Sequence, residues 1–295
     1  VMEASGGEER LVERVTDPGS ATVRAAVSGR ELALGAEHAA CDGLGLLALL
    51  GAVAGVPATS SAKGVGDRPE DRSRLTAAAR RLAEALATPP ANVAAPPEDP
   101  GPLEEVGDAF ARFSVPSRVP VSGLTHAAVR AVVAHNRELS APHARIAVAI
   151  GASRVGGAAP VIGDHSALLR LRSVERLSED ALRTAIRDTV PEPLPPGARD
   201  GSRAVARVTT AAMGALSSRL GSTLLVSHLG EVGAPGVEDL AFYPVTGGGS
   251  GISVGAVGLA GTTVVTLRGR RRRHSAATLE ALGRRVHDEL RSARS

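Results

Sequence analysis

Four aromatic side chains, Phe110, Phe113, Phe242 and Tyr243, are all that 295 residues provide, and there is no Trp. A chain of this length with 43% hydrophobic residues can bury a substantial core. That core must therefore be aliphatic, filled by close interdigitation of Ala, Val and Leu. The same scarcity leaves little for a nucleic-acid surface built on base stacking. Charge gives no opposing signal: 34 Lys and Arg are nearly balanced by 31 Asp and Glu, a net of +3. The basic isoelectric point reflects arginine in place of lysine. The dense run of Arg268 with Arg270, Arg271, Arg272 and Arg273 reads first as a solvated strand end and loop. As a functional patch it would attract an acidic partner or a phosphorylated ligand.

Cys41 is the only cysteine, which leaves no intrachain disulfide and no cysteine-based zinc site and fits a reducing cytoplasm. The first stretch, with Glu3, Glu8, Glu9, Arg10, Glu13 and Arg14, is too charged for a signal peptide. Residues 241–267 carry no charge, but glycines at 247–249, 251, 255, 258 and 261 interrupt them and Thr and Val are frequent. That composition suits strands and turns, and no membrane span is expected.

Periodicity lays out the rest. Thr22–Ala36 reads as two short strands about Ser28-Gly29-Arg30. From Gly43 the residues Leu44, Leu46, Leu47, Leu50 and Val53 recur at helical spacing, with Asp42 where an N-cap belongs, and the helix should stop by Gly55. Arg74–Ala87 reads as a second, amphipathic helix. Pro89, Pro90, Pro96, Pro97, Pro100 and Pro102 then exclude helix or central strand and mark a domain boundary at about residue 102. Beyond it come a helix over Thr125–Leu139, strands over Ala144–Ile150 and Ser166–Leu171, and a helix from Ser178 to about Asp188. A further helix over Val205–Leu220, a strand over Ser222–Ser227, a hairpin of Ile252–Gly258 with Thr262–Arg268, and a closing helix over Ala276–Ser292 follow. Such a mixture indicates an α+β or mixed-sheet sandwich architecture.

Chemistry concentrates at His38-Ala-Ala-Cys41-Asp42-Gly43, an H-x-x-x-D-G element that joins a strand to a helix. A histidine at a strand end can be held by backbone on both sides while one ring nitrogen stays free as a base near neutral pH. Competing constellations are weaker. Gly43 to Ala48 formally fits the dinucleotide fingerprint G-x-G-x-x-A, but Asp42 would face the pyrophosphate at the helix start. Gly247–Gly251 lacks the ending of a P-loop, and Ser250 does not sit in a nucleophile elbow. No histidine pair has the spacing of a zinc helix, so no metal is expected. Cys41 reads as a small buried filler rather than a nucleophile.

The His38–Gly43 element, followed by the apolar helix, resembles the active-site segment of the CoA- and carrier-dependent acyltransferases. That superfamily includes chloramphenicol acetyltransferase, the condensation domains of nonribosomal peptide synthetases, and polyketide-associated and wax-ester-type enzymes. Three later segments follow the same order: Ile146–Arg154 (IAVAIGASR) with Gly163-Asp164, Leu224–Val232 (LLVSHLGEV), and the hairpin Gly251–Arg268. The resemblance spans about residues 20–295, although the family's first histidine has no counterpart and few residues precede the motif.

The resemblance implies a chloramphenicol acetyltransferase-like mixed-sheet sandwich, with residues 1–102 as a truncated N-terminal lobe plus linker and 103–295 as a complete C-terminal lobe. It implies transfer of an acyl group from a CoA or carrier-protein thioester to a hydroxyl or amine, with His38 as general base. By position, Asp42 and Arg154 would form a bracing ion pair, and Gly43 would let the backbone turn closely. Ser227, Tyr243 and Ser250 are candidates to stabilise the oxyanion. No permanently bound cofactor is implied; acyl-CoA or phosphopantetheine would be co-substrate. Partners would be a small-molecule acceptor, an acyl or peptidyl carrier protein, or a second chain completing the N-terminal lobe. The alternative is a non-catalytic binding or docking remnant of such a domain.

Overall fold

Strands rich in Ala, Val, Leu and Ile build the sheet that carries both cores. The computed structural model describes residues 6–16, 21–69, 74–96, 107–141, 145–192, 221–246 and 251–293. Seven strands form a mixed sheet: β3 (Thr59–Ser60), β4 (Asp108–Val115), β5 (Val148–Ser153), β6 (Ser166–Leu171), β7 (Leu224–Gly233), β8 (Ile252–Leu259) and β9 (Thr262–Arg270). Their order is β4-β9-β8-β7-β5-β6, with β3 also on β7. β7 runs parallel to β5 and β8, and the other pairs are antiparallel. The protein is thus α+β.

Period two splits each central strand between two cores. The cross-strand pairs Val254↔Leu267 and Ala256↔Val265 face the main cluster, and the adjoining pair Val257↔Val264 faces a second one. The main cluster is closed by α4 (Val121–Glu138) and α6 (Ala276–Ser292), through Leu124, Val132, Leu279 and Leu282. A shorter helix, α5 (Glu179–Asp188), adds the fully buried Leu182. The second cluster is closed by Leu44 and Leu47 of α2 (Gly43–Ala54) and by Phe242. All four aromatics pack: Phe113 meets His287 edge-on at 5.5 Å, Phe110 meets Tyr243 edge-on at 5.3 Å, and Phe242 is buried.

The first hairpin, β1 (Val23–Ser28) with β2 (Glu31–Ala36), is a separate two-stranded sheet packed on helix α1 (Gly6–Thr16), an element the charged sequence did not reveal. Arginines dock that helix. Arg271 reaches Glu9 at 3.4 Å and also Glu13, while Arg112 joins Glu8 at 2.7 Å and Asp239 at 2.9 Å. Arg268 pairs with Asp108 at 2.6 Å and lies 5.7 Å over the Phe110 ring. Arg271 therefore clamps the strand end to helix α1, while Arg268 ties β9 to β4.

Other expectations hold with shifted ends. Helix α3 covers Arg74–Ala87 and α6 Ala276–Ser292 as read, α4 begins four residues early at Val121, and β5 ends three residues late at Ser153. β7 continues past the expected Ser227 through an irregularity between His228 and Glu231, where Gly230 takes φ 78°. The uncharged stretch contains the β8–β9 hairpin, and no helix among the described residues is long and apolar enough to cross a membrane. The helix expected at 205–220 and the end of the proline-rich stretch lie outside the described residues. Before that end, Ala91 and Val93 enter the main core and the Ala94 N–H donates to Asn136 Oδ1 at 2.9 Å.

Candidate active site

The turn after β2 is built by backbone. The Glu37 N–H donates to Thr22 O at 2.9 Å, and the N–H groups of Ala40 and Cys41 both donate to Glu37 O, so His38 stands on the crest of a closed turn. Its side chain is 49% exposed, and its Nδ1 lies 3.9 Å from Asp164 Oδ1. Helix α2 then starts on Asp42, whose Oδ1 accepts the Gly45 N–H at 2.7 Å in the N-cap manner. The carboxylate at the positive end of the helix is favourable.

A second turn, between β5 and β6, is welded to the first. The Asp42 N–H donates to Gly163 O at 3.0 Å. Gly45 makes this approach feasible, because a Cβ there would stand 2.6 Å from Gly163 O and 2.9 Å from Cys41 Sγ. Gly43 is required for a similar reason: its missing Cβ would meet Leu229 Cδ2 at 2.8 Å and Phe242 Cζ at 3.0 Å. Close packing, rather than an unusual turn, is what glycine provides at position 43. Burial pushes the Cys41 thiol above its ordinary range, outweighing a backbone hydrogen bond from Gly163 that works the other way. A buried, protonated thiol packs as a filler.

The expected pairing of Asp42 with Arg154 is not made. Asp42 is buried, its Oδ2 has no hydrogen-bond partner among the described residues, and Arg154 turns its Nη1 to Arg68 O at 3.4 Å. The backbone explains the divergence. Arg154 donates its N–H to His165 O at 2.7 Å and leaves β5 toward the 60s loop, whereas Asp42 is aimed down the axis of its own helix.

His38, Ser227 and Tyr243 all line one large cleft of about 1830 Å³, enclosed by β2, α2, the strands β5 to β7 and the 236–245 loop. Ser227 lies opposite Gly151 on neighbouring strands. Tyr243 is spoken for: its hydroxyl donates to Glu8 Oε1 at 3.1 Å, and burial pushes its pKa far upward. It remains a phenol anchoring α1, which takes it away from an oxyanion role. Ser250 lies outside the described residues. His228 also borders the cleft, yet both ring nitrogens are used, Nε2 against Val119 O at 2.8 Å and Nδ1 accepting the Gly230 N–H at 2.8 Å. Burial lowers its pKa and keeps it neutral. Among the described residues no group of three metal-capable side chains assembles.

Sequence reasoning passed over Asp164 as a site residue, because nothing local to Gly163-Asp164 reveals that its carboxylate approaches a ring 126 positions earlier. Only the paired turns do so.

No family model matches the sequence, and no curated protein matches it. Solved structures do share features of the fold. The condensation domain that mediates chain release from the enacyloxin polyketide synthase superposes with a TM-score of 0.49 at 14% identity, over 97% of this chain and 64% of that one. The cyclization-docking bidomain of the EpoB nonribosomal peptide synthetase from Sorangium cellulosum gives 0.46 at 11% identity, over 75% of this chain and 49% of that one. The SgcC5 protein from Streptomyces globisporus gives 0.47 at 15% identity, over 98% and 78%. The chain thus spans 64% and 49% of the first two. Likeness at this level assigns neither substrate nor chemistry.

Proposed function

We propose that the protein is an acyltransferase in which His38 is the general base, acting on an acyl thioester of CoA or of a phosphopantetheinyl carrier protein and on a small hydroxyl or amine acceptor. The observation that carries the reading is a half-exposed imidazole, on a backbone-closed turn, presented to a cleft large enough for two substrates. In this reaction Nε2 of His38 takes the acceptor's proton while its oxygen or nitrogen attacks the thioester carbonyl carbon. The tetrahedral intermediate then collapses, expelling the thiolate, which recovers the proton from the imidazolium. General-base assistance contributes on the order of 10²–10⁴ in rate, and juxtaposition of the two substrates supplies much of the remainder. Ser227, on the cleft wall, is the remaining described candidate for donating to the oxyanion.

One observation favours a second reading, that of a non-catalytic binding module: the brace expected between Asp42 and Arg154 is not made, and among the described residues the His38 turn is held by backbone hydrogen bonds and the α2 cap. Incubation with a panel of acyl-CoA thioesters and acceptors, following free-thiol release, separates the two. Acceptor-dependent release supports the enzyme; saturable thioester binding without release supports the module.

A further inference from the structure

The two welded turns fix where Asp164 stands. Gly163 O accepts the Asp42 N–H at 3.0 Å, and Gly45 lets the strands' connections touch, so the residue after Gly163 is held against the His38 turn. The Asp164 carboxylate is itself aimed: its Oδ1 accepts the Ser166 N–H at 3.1 Å and the Ser166 hydroxyl. Such a side-chain-to-backbone loop restricts a short aspartate to few orientations. That same Oδ1 is the atom 3.9 Å from His38 Nδ1, and its side chain is 29% exposed.

We propose that Asp164 is the positioning residue of His38, accepting a hydrogen bond from Nδ1–H and so fixing the tautomer that leaves the Nε2 lone pair free toward the cleft. The inference rests on the reading of His38 as base. A neutral imidazole carries its proton on either nitrogen, and the partner of one nitrogen decides the state of the other. Hydrogen-bonded distance lies about 1 Å inside the observed separation; with the carboxylate pinned by Ser166, that closure falls to the half-exposed His38 ring, and catalytic hydrogen bonds commonly tighten only when substrates are bound. Asp42, the carboxylate expected to support the motif, is turned away into its helix cap, so the orienting role passes to the neighbouring turn.

The test reads the ring directly. In histidine ¹⁵N-labelled protein, at a pH well above imidazole titration, long-range proton–nitrogen correlation spectra distinguish protonated from unprotonated ring nitrogens, and the His38 signals are assigned by their loss in His38→Ala. The expected wild-type pattern is protonated Nδ1 and unprotonated Nε2. Asp164→Ala shifts the population toward protonated Nε2, and Ser166→Ala, which keeps the carboxylate but loosens it, gives an intermediate pattern. An His38 tautomer unchanged in both variants overturns the proposal. In turnover, Asp164→Ala lowers kcat by roughly tenfold to a hundredfold with KM little changed, and costs nothing further in a His38→Ala background. A kcat equal to wild type overturns it as well. If the wild type shows no thiol release, the acyltransferase reading falls while the tautomer spectra still decide this one.

Discussion

The two faces of the central sheet are made of alternate residues of the same strands and have opposite fates. On one face Val254, Ala256, Val265 and Leu267 disappear beneath α4 and α6 into an unbroken aliphatic core. On the other, Val257 and Val264 meet α2 and Phe242 over a small patch, and the face then opens into the cleft bordered by Ser227 and the His38 turn. The covered face stores stability in dry packing, and the open face holds its shape through backbone hydrogen bonds and close glycine contacts. A scaffold and a site can thus share each strand because period two keeps their side chains apart.

The largest effect that would sharpen this contrast is on the covered face. Leu267→Ala, at a fully buried position, should cost about 2–5 kcal/mol in denaturant unfolding. A much smaller loss would mean that the helices do not close this face as described. On the open face, Gly45→Ala should destabilise by roughly 1–3 kcal/mol, because the added methyl forces the Gly163 turn away. Helix propensity alone favours Ala over Gly in a helix by about 1 kcal/mol, so a stabilising Gly45→Ala would show that the two turns are not in contact.

Those turns also mark where the sequence ran out. The β1–β2 hairpin, the Asp42 cap and the 276–292 helix were legible because each is specified within a few residues, by a Gly turn, a side chain three positions from its amide, or a run of Leu279, Leu282, Val286 and Leu290. Helix α1 was missed because only Leu11, Val12 and Val15 are buried among its charges, and its docking depends on arginines about 100 and 260 residues away. Strand β4 was not anticipated from the sequence, because Phe110 and Phe113 are its only apolar residues larger than Val. At the site, His38 and the cap could be read locally, but Arg154 was assigned to Asp42 by position in a resemblance, and the direction of its side chain is set by the 60s loop. Asp164 became visible only once two distant turns were seen to touch.

Smaller effects discriminate further. Asp42→Asn should change stability by less than about 1 kcal/mol, since Asn caps a helix as well as Asp does. Were Asp42 buried against an arginine, the same change would cost roughly 3–5 kcal/mol, and a loss of that size would restore the expected pair. The least effect is a slope. His228 is held neutral by burial, so below about pH 6.5 the unfolded chain binds a proton that the fold resists. The stability this residue contributes is therefore complete above that value and declines as pH falls beneath it. His228→Gln should flatten the dependence of Tm on pH over that acidic range relative to wild type, and an unchanged slope would mean that His228 does not titrate on unfolding.

The central claim is that the open face is an acyl-transfer site and His38 its base. Its most direct measurement compares acceptor-dependent thiol release from acyl-CoA by wild-type and His38→Ala protein of matched Tm. The expected result is a fall in kcat of roughly 10²–10⁴ with the fold intact, because the half-exposed ring contributes little to packing. Equal turnover in the two proteins would contradict it.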